Sequence, residues 1–169
     1  MNSRILILCT GNSCRSQMAQ GFLQSFDRDL KVCSAGIKPS GKINDNAVKV
    51  MKEAGIDISG EYPKPVNTFL KEAWDYVITV CGGAQETCPI FEGEVCCRLH
   101  FGFDDPATVE GTTEYVESEF RRIRDEIKNI FFQFYTSIKN EKIGFFRPIP
   151  YAVDIPGDVY RCWYRIFFS

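Results

Sequence analysis

Apolar residues at positions 5–8 form an unbroken run that ends in a cysteine. The strand they predict, Arg4–Cys9, is apolar enough to be buried on both faces. The rhythm then changes to that of a helix over residues 16–26, with Met18, Ala19, Phe22, Leu23 and Phe26 recurring on one face. Residues 31–35 read as a second strand, ending at Gly36. Residues 44–54 read as an amphipathic helix with Ala47, Val48, Met51 and Ala54 inward, closed by Gly55. The prolines of "YPKPVN" predict a loop, followed by a short helix over residues 67–74 capped by Asn67. Residues 76–80 ("YVITV") and 96–101 read as the third and fourth strands. A long helix is expected over residues 113–139, with Phe120, Ile123, Ile127, Ile130, Phe131, Phe134 and Ile138 on one stripe.

Strands alternating with helices predict an α/β fold: a small, doubly wound, four-stranded parallel sheet flanked by helices, forming one domain over residues 1–140. Residues 141–169 do not continue the pattern. They hold eight aromatics and three prolines without a sustained period, and read as an aromatic-rich extension that adds packing.

Composition narrows the possible functions. The net charge is −2 and there is no basic block, so a nucleic-acid partner is not expected. Any anion must be held by local geometry rather than by a global positive field. The first apolar run is too short for a signal peptide, and no stretch approaches a membrane span. A cytoplasmic monomer is the expectation. Eight cysteines, at positions 9, 14, 33, 81, 88, 96, 97 and 162, are many for such a chain. None forms a C-x2-C pair, and His100 is the sole histidine, so no metal site and no bound cofactor are expected.

The chemistry concentrates at "CTGNSCRS". Cys9 ends a buried parallel strand, and sites on such sheets form at the carboxyl ends of strands. Thr10, Gly11, Asn12, Ser13, Cys14, Arg15 and Ser16 then lead into a helix N-terminus. Successive backbone N–H groups in such a loop form an anion nest, and the helix dipole adds positive potential. Both are expected to lower the Cys9 pKa and favour its thiolate. Gly11 and Asn12 tolerate left-handed backbone. Arg15 supplies a planar fork for two oxygens of a tetrahedral oxyanion. The alternative for the segment is a buried cysteine and a surface arginine on an ordinary strand–helix turn.

"CTGNSCRSQMAQGF" resembles the phosphate loop of low-molecular-weight protein tyrosine phosphatases and of the thioredoxin-coupled arsenate reductases built on the same fold. The resemblance runs from Ile5 to about Ile130. It implies that Cys9 is the nucleophile and Arg15 the oxyanion clamp. In "HFGFDDPA", Asp105 before Pro106 matches the family's general acid, while Asp104 reads as an ordinary loop residue.

"VITVCGGAQETCPIF" separates the two branches. A phosphatase needs neither Cys81 nor Cys88, whereas reduction of arsenate takes two electrons, which one dithiol supplies on becoming a disulfide. The resemblance to the reductase branch implies that Cys81 resolves a Cys9–arsenic adduct. Cys88 then moves the disulfide outward, leaving a Cys81–Cys88 bridge for reduced thioredoxin, with Gly82 and Gly83 letting the segment refold. Arsenate is the implied substrate, with phosphate or sulfate as competing oxyanions. Gln17 stands where phosphatases usually carry proline, and "ATVEGTTEY" lacks their aromatic pair. Gln20 replaces a glutamate that in some relatives helps hold a monovalent cation, so no potassium ion is expected. The alternatives are a tyrosine or small phosphoester phosphatase and a non-catalytic arsenite-binding module. Cys14 and Cys33 read as packing residues, Cys96 and Cys97 as pointing to opposite faces, His100 as a satisfied core histidine, and Ser34 as a brace for Asn12.

Overall fold

A computed structural model of the chain describes residues 3–82 and 88–142. Four strands, β1 (Arg4–Cys9), β2 (Lys31–Gly36), β3 (Trp74–Thr79) and β4 (Val95–His100), form one parallel sheet in the order β2-β1-β3-β4. Three helices flank it: α1 (Arg15–Phe26), α2 (Asp45–Glu53) and α3 (Thr113–Lys142). The strand order reverses between β1 and β3. In open α/β sheets the crevice at the carboxyl ends of such a strand pair is where ligands bind. Cys9 ends β1, and Cys81 follows two residues after β3, so both thiols stand at that switch point.

The central strand is apolar throughout its middle because both faces are covered. Ile5, Leu6, Ile7 and Leu8 have no solvent exposure. β1 pairs with β2 from Arg4↔Lys31 to Cys9↔Gly36, and with β3 from Ile5↔Tyr76 to Leu8↔Thr79. α3 packs against α1 and α2, burying Phe120, Ile123, Ile127, Phe131, Phe134 and Ile138, while Ile130 is half-buried. Lys139 near the end of α3 pairs with Asp27 just after α1 at 2.6 Å. Asn44 caps α2 by accepting from the N–H groups of Asn46 and Ala47, and Gly55 after it is left-handed at φ 80°.

One expected element is absent in its predicted form. The helix anticipated over residues 67–74 is a single 3-10 turn, Val66–Phe69, with Pro65 rather than Asn67 at its N-cap and no side-chain cap. Trp74 instead opens β3. Its backbone N–H donates to Glu94 O, its indole N–H donates to Phe69 O at 3.2 Å, and its ring is buried in the core. A large aromatic that finds a partner for its N–H favours the strand over one more helical turn. The helix α3 runs through Lys142, so residues 141 and 142 of the anticipated extension continue it. Residues 143–169, with Cys162, lie outside the described residues, as do Gly83 and the rest of the segment through Thr87.

Candidate active site

The loop after β1 is anchored by its carbonyls. Cys9 O, Thr10 O, Gly11 O and Ser13 O accept from the N–H groups of Ile37, Lys38, Ser40 and Asn44, all at 2.8–3.1 Å. A trans peptide points its C=O and the following N–H in opposite directions. Drawing four carbonyls toward the β2–α2 connection therefore turns the N–H groups of Thr10, Gly11, Asn12 and Cys14 the other way. The Gly11 N–H accordingly hydrogen-bonds Cys9, the arrangement an anion nest requires.

Asn12 is the hub of this loop. It is fully buried and left-handed, with φ 51°. Its Nδ2 donates to Ser16 Oγ and Ser34 Oγ, both at 2.9 Å. Its Oδ1 accepts from the Lys64 N–H at 2.8 Å and from Gln17 Nε2 at 3.2 Å. Gln17 Nε2 also donates to Asn12 O and Tyr62 O. Ser34 thus braces Asn12 as expected. Gly11, by contrast, is not left-handed. What a side chain there would meet is Ser40, whose Oγ lies 2.7 Å from the Cβ position. Gly36 at the end of β2 is the less forgiving case, because a Cβ would lie 2.8 Å from Thr10 O, a backbone atom that cannot swing aside as the Ser40 hydroxyl can.

Arg15 opens α1 with its side chain buried. Its Nη1 donates to Phe103 O at 3.0 Å and its Nη2 pairs with Asp105 Oδ2. Its Nε is buried with no hydrogen-bond partner among the described residues, so the Nε–H is a donor available to an incoming oxygen. Asp105 Oδ1 accepts from the Ala107 N–H, which caps the turn Pro106–Thr108. Asp104 faces outward to Arg122 at 3.0 Å. The two aspartates therefore face different partners: Asp105 the loop arginine, Asp104 a surface arginine.

The thiols depart from expectation in one respect. Cys9 is buried at 3 % exposure, and its pKa is raised rather than lowered. A side-chain hydrogen bond with Cys81 contributes most, followed by burial and the charge of Cys81; Arg15 and the Gly11 N–H oppose these effects. Local loop geometry pulls toward the thiolate, but a second sulfur in contact resists two negative charges in one place. Thr10 Oγ1 lies 3.3 Å from Cys81 Sγ, so loop and second thiol are joined. Cys14 is buried at the start of α1, and burial pushes its thiol up to about 12, which suits a packing residue. Cys88 is half-buried, and Arg98 Nη1 donates to its sulfur at 3.5 Å. None of Cys9, Cys81 and Cys88 is in a disulfide. Cys96 is exposed and Cys97 buried, on opposite faces of β4. Thr79 Oγ1 lies 2.8 Å from His100 Nδ1 and burial lowers the pKa of this histidine. Among the described residues no group of three or more His, Cys, Asp or Glu side chains is placed to hold a metal ion, and no helix is long and apolar enough to cross a membrane.

Residues 4–143 match the family model of the low molecular weight phosphotyrosine protein phosphatases. The chain belongs to that family. Among curated relatives, the arsenate reductase of Bacillus subtilis is 49% identical over 129 residues, 76% of this chain and 91% of the relative. The arsenate reductase of Bacillus licheniformis is 50% identical over 124 residues, 73% of this chain and 88% of the relative. Among solved structures, an arsenate reductase in the phosphate binding state superposes with a TM-score of 0.66 at 30% identity, covering 82% of this chain and 99% of its own. A Corynebacterium glutamicum thioredoxin-dependent arsenate reductase gives a TM-score of 0.60 at 26% identity, over 83% of this chain and 63% of that one.

Several site features escaped the sequence reading. Gln17 as a clamp on the loop, Gly36 beneath it, Phe103 O as the second acceptor of Arg15, and Arg98 beside Cys88 all depend on tertiary contacts. The one local signal was Gln17 itself, standing where phosphatases carry proline.

Proposed function

We propose that the chain is an arsenate reductase that works by a three-cysteine relay and is regenerated by thioredoxin in the cytoplasm, as a monomer without a bound cofactor. The observation that carries this reading is the contact between Cys81 and Cys9 at the oxyanion loop, a second thiol for which phosphoester hydrolysis has no use.

The oxyanion enters the nest made by residues 10–16 and takes the unpartnered Nε–H of Arg15. Phosphate and sulfate compete for the same place. The Cys9 sulfur attacks arsenic and forms a sulfur–arsenic bond, while one oxygen leaves as water. Asp105, already within reach of Arg15, supplies or relays the proton for that oxygen. Cys81 then attacks the Cys9 sulfur. The sulfur–arsenic bond breaks, its electron pair stays on arsenic, arsenite departs, and a Cys9–Cys81 disulfide remains. The two electrons gained by arsenic are those lost by the two thiols. Cys88 next attacks Cys81, freeing Cys9 and leaving a Cys81–Cys88 bridge for thioredoxin to reduce.

The raised pKa of Cys9 fits the role of a paired thiol. Cys9 must lose its proton to attack arsenic, and Arg15 and the Gly11 N–H are the groups that favour that loss against burial and Cys81. Reaction rate is therefore expected to rise with pH through the neutral and mildly alkaline range. The deciding experiment mixes the protein with arsenate, reduced thioredoxin and its reductase. Arsenate-dependent consumption of reduced thioredoxin, with release of arsenite, is the expected result. Hydrolysis of an aryl phosphate at comparable efficiency, with thioredoxin unconsumed, selects a phosphatase instead. Tight arsenite binding without turnover selects a sensing module.

A further inference from the structure

We propose that Arg98 is a positioning residue for the last exchange of the relay: it holds and electrostatically favours the Cys88 thiolate as that sulfur attacks Cys81. The inference rests on the three-cysteine reading above and assigns the residue that prepares its third thiol.

Arg98 lies on β4 directly beside Val77 of β3, the strand that leads into Cys81. Its guanidinium carbon sits 5.1 Å from the centroid of the Phe91 ring, and Phe91 is itself buried. That cation–π contact fixes the fork, and from there Nη1 reaches Cys88 Sγ at 3.5 Å. One rigid strand thus carries the donor for Cys88 next to the strand that delivers its target. Arg4, Arg15, Arg121, Arg122 and Arg124 each pair with a carboxylate. Arg98 has no carboxylate partner among the described residues, so its charge is left to act on the sulfur.

The chemistry needs such a group. In the exchange the Cys88 sulfur forms a bond to the Cys81 sulfur while the Cys9–Cys81 bond breaks. Cys9 leaves as thiolate and takes up a proton, the proton of Cys88 goes to solvent, and no electrons are gained or lost overall. The rate follows the fraction of Cys88 present as thiolate. Half-burial raises the Cys88 pKa, and the charge and hydrogen bond of Arg98 are what oppose that rise. Cys9 and Cys81 need no such help from Arg98, because their exchange takes place at the loop.

The test uses the full chain with arsenate, followed by acid quenching and peptide mapping. Arg98→Met keeps an apolar stem over Phe91 but removes charge and donor. Arg98→Lys keeps the charge without the fork. Arg98→Met is expected to release the first arsenite at the wild-type rate and to form the Cys81–Cys88 bridge about three- to fourfold more slowly at neutral pH, the effect of roughly one pKa unit on the thiolate fraction, partly offset by the greater nucleophilicity of a less acidic thiol. The deficit should close as pH rises past the thiol range, and Arg98→Lys should recover most of the rate. A wild-type bridging rate and pH profile in Arg98→Met would overturn the assignment. So would equal slowing of arsenite release, which points to a general structural role. Cys88→Ser run alongside separates the two levels. Repeated turnover with thioredoxin in that variant means the three-cysteine reading itself has failed. A stall in Cys88→Ser together with an unaffected Arg98→Met means that only the role of Arg98 has.

Discussion

Asn12 in the Cys9 loop holds Ser16, Ser34, Gln17 and the Lys64 backbone through its side chain, all at 2.8–3.2 Å. At the other end of the proposed relay, Cys88 takes a 3.5 Å contact from one exposed arginine. The two ends differ because their tasks differ. An oxyanion loop must present several N–H groups and a guanidinium in fixed positions before the anion arrives, so its bracing is buried and redundant. A thiol that must approach a disulfide formed elsewhere needs charge beside it more than it needs rigidity. Cys81 stands between the two, touching both Cys9 and Thr10.

The sharpest way to break this contrast is to remove the nucleophile. Cys9→Ser should lower arsenite release by more than about a thousandfold, because a serine oxygen lacks the ionisation and nucleophilicity of the thiol. Its phosphate binding should survive, since the nest and Arg15 remain. Arsenite release above background in that variant, followed by single-turnover quenching, would place the nucleophile elsewhere. Arg15→Lys comes next. Loss of the planar fork should weaken phosphate protection of Cys9 against alkylation by about tenfold or more.

Asn12→Ala probes the bracing. It orphans Ser16, Ser34 and the Lys64 N–H and puts alanine into left-handed backbone, which together should cost about 2–4 kcal/mol of stability. Urea unfolding measures this. A loss under about 0.5 kcal/mol would mean that the hub is redundant. A smaller effect concerns pH. Burial raises the thiol pKa of Cys14 to about 12 and also raises those of Cys33 and Cys88. These groups stay protonated in the folded state after they ionise in the unfolded one. Their contribution is therefore complete below about pH 9 and is lost as pH rises from there toward about 12. The slope should be on the order of 1 kcal/mol per pH unit from Cys14 alone. Stability that is flat from pH 8 to pH 10.5, or a slope unchanged in Cys14→Ala, would contradict that assignment.

These predictions draw unevenly on what the sequence contains. The β1–loop–α1 unit was legible because its chemistry is local: an apolar run, a cysteine, small polar residues and Arg15 follow one another directly. The alternation of strands and helices and the α3 stripe were legible from period alone, whereas the order β2-β1-β3-β4 was not. Trp74 was misread because helix and strand periods are indistinguishable over so few residues, and its burial decides the matter. The Cys9 pKa was misread for a different reason. The nest and helix dipole are visible in "CTGNSCRS", but the opposing group, Cys81, comes from another strand. Gly11 and Asn12 looked alike as left-handed residues, and only Asn12 is one. Gly36 and the Phe103 carbonyl act through backbone, where side-chain identity carries no signal.

The relay itself is tested most directly by Cys88→Ser in the presence of arsenate, with arsenite counted per chain and disulfides mapped after quenching. The account predicts one arsenite per chain and then a stall, with Cys9 joined to Cys81 and thioredoxin unable to restart the cycle. Sustained turnover by that variant, or a bridge from Cys9 or Cys81 to Cys96 or Cys97, would contradict it.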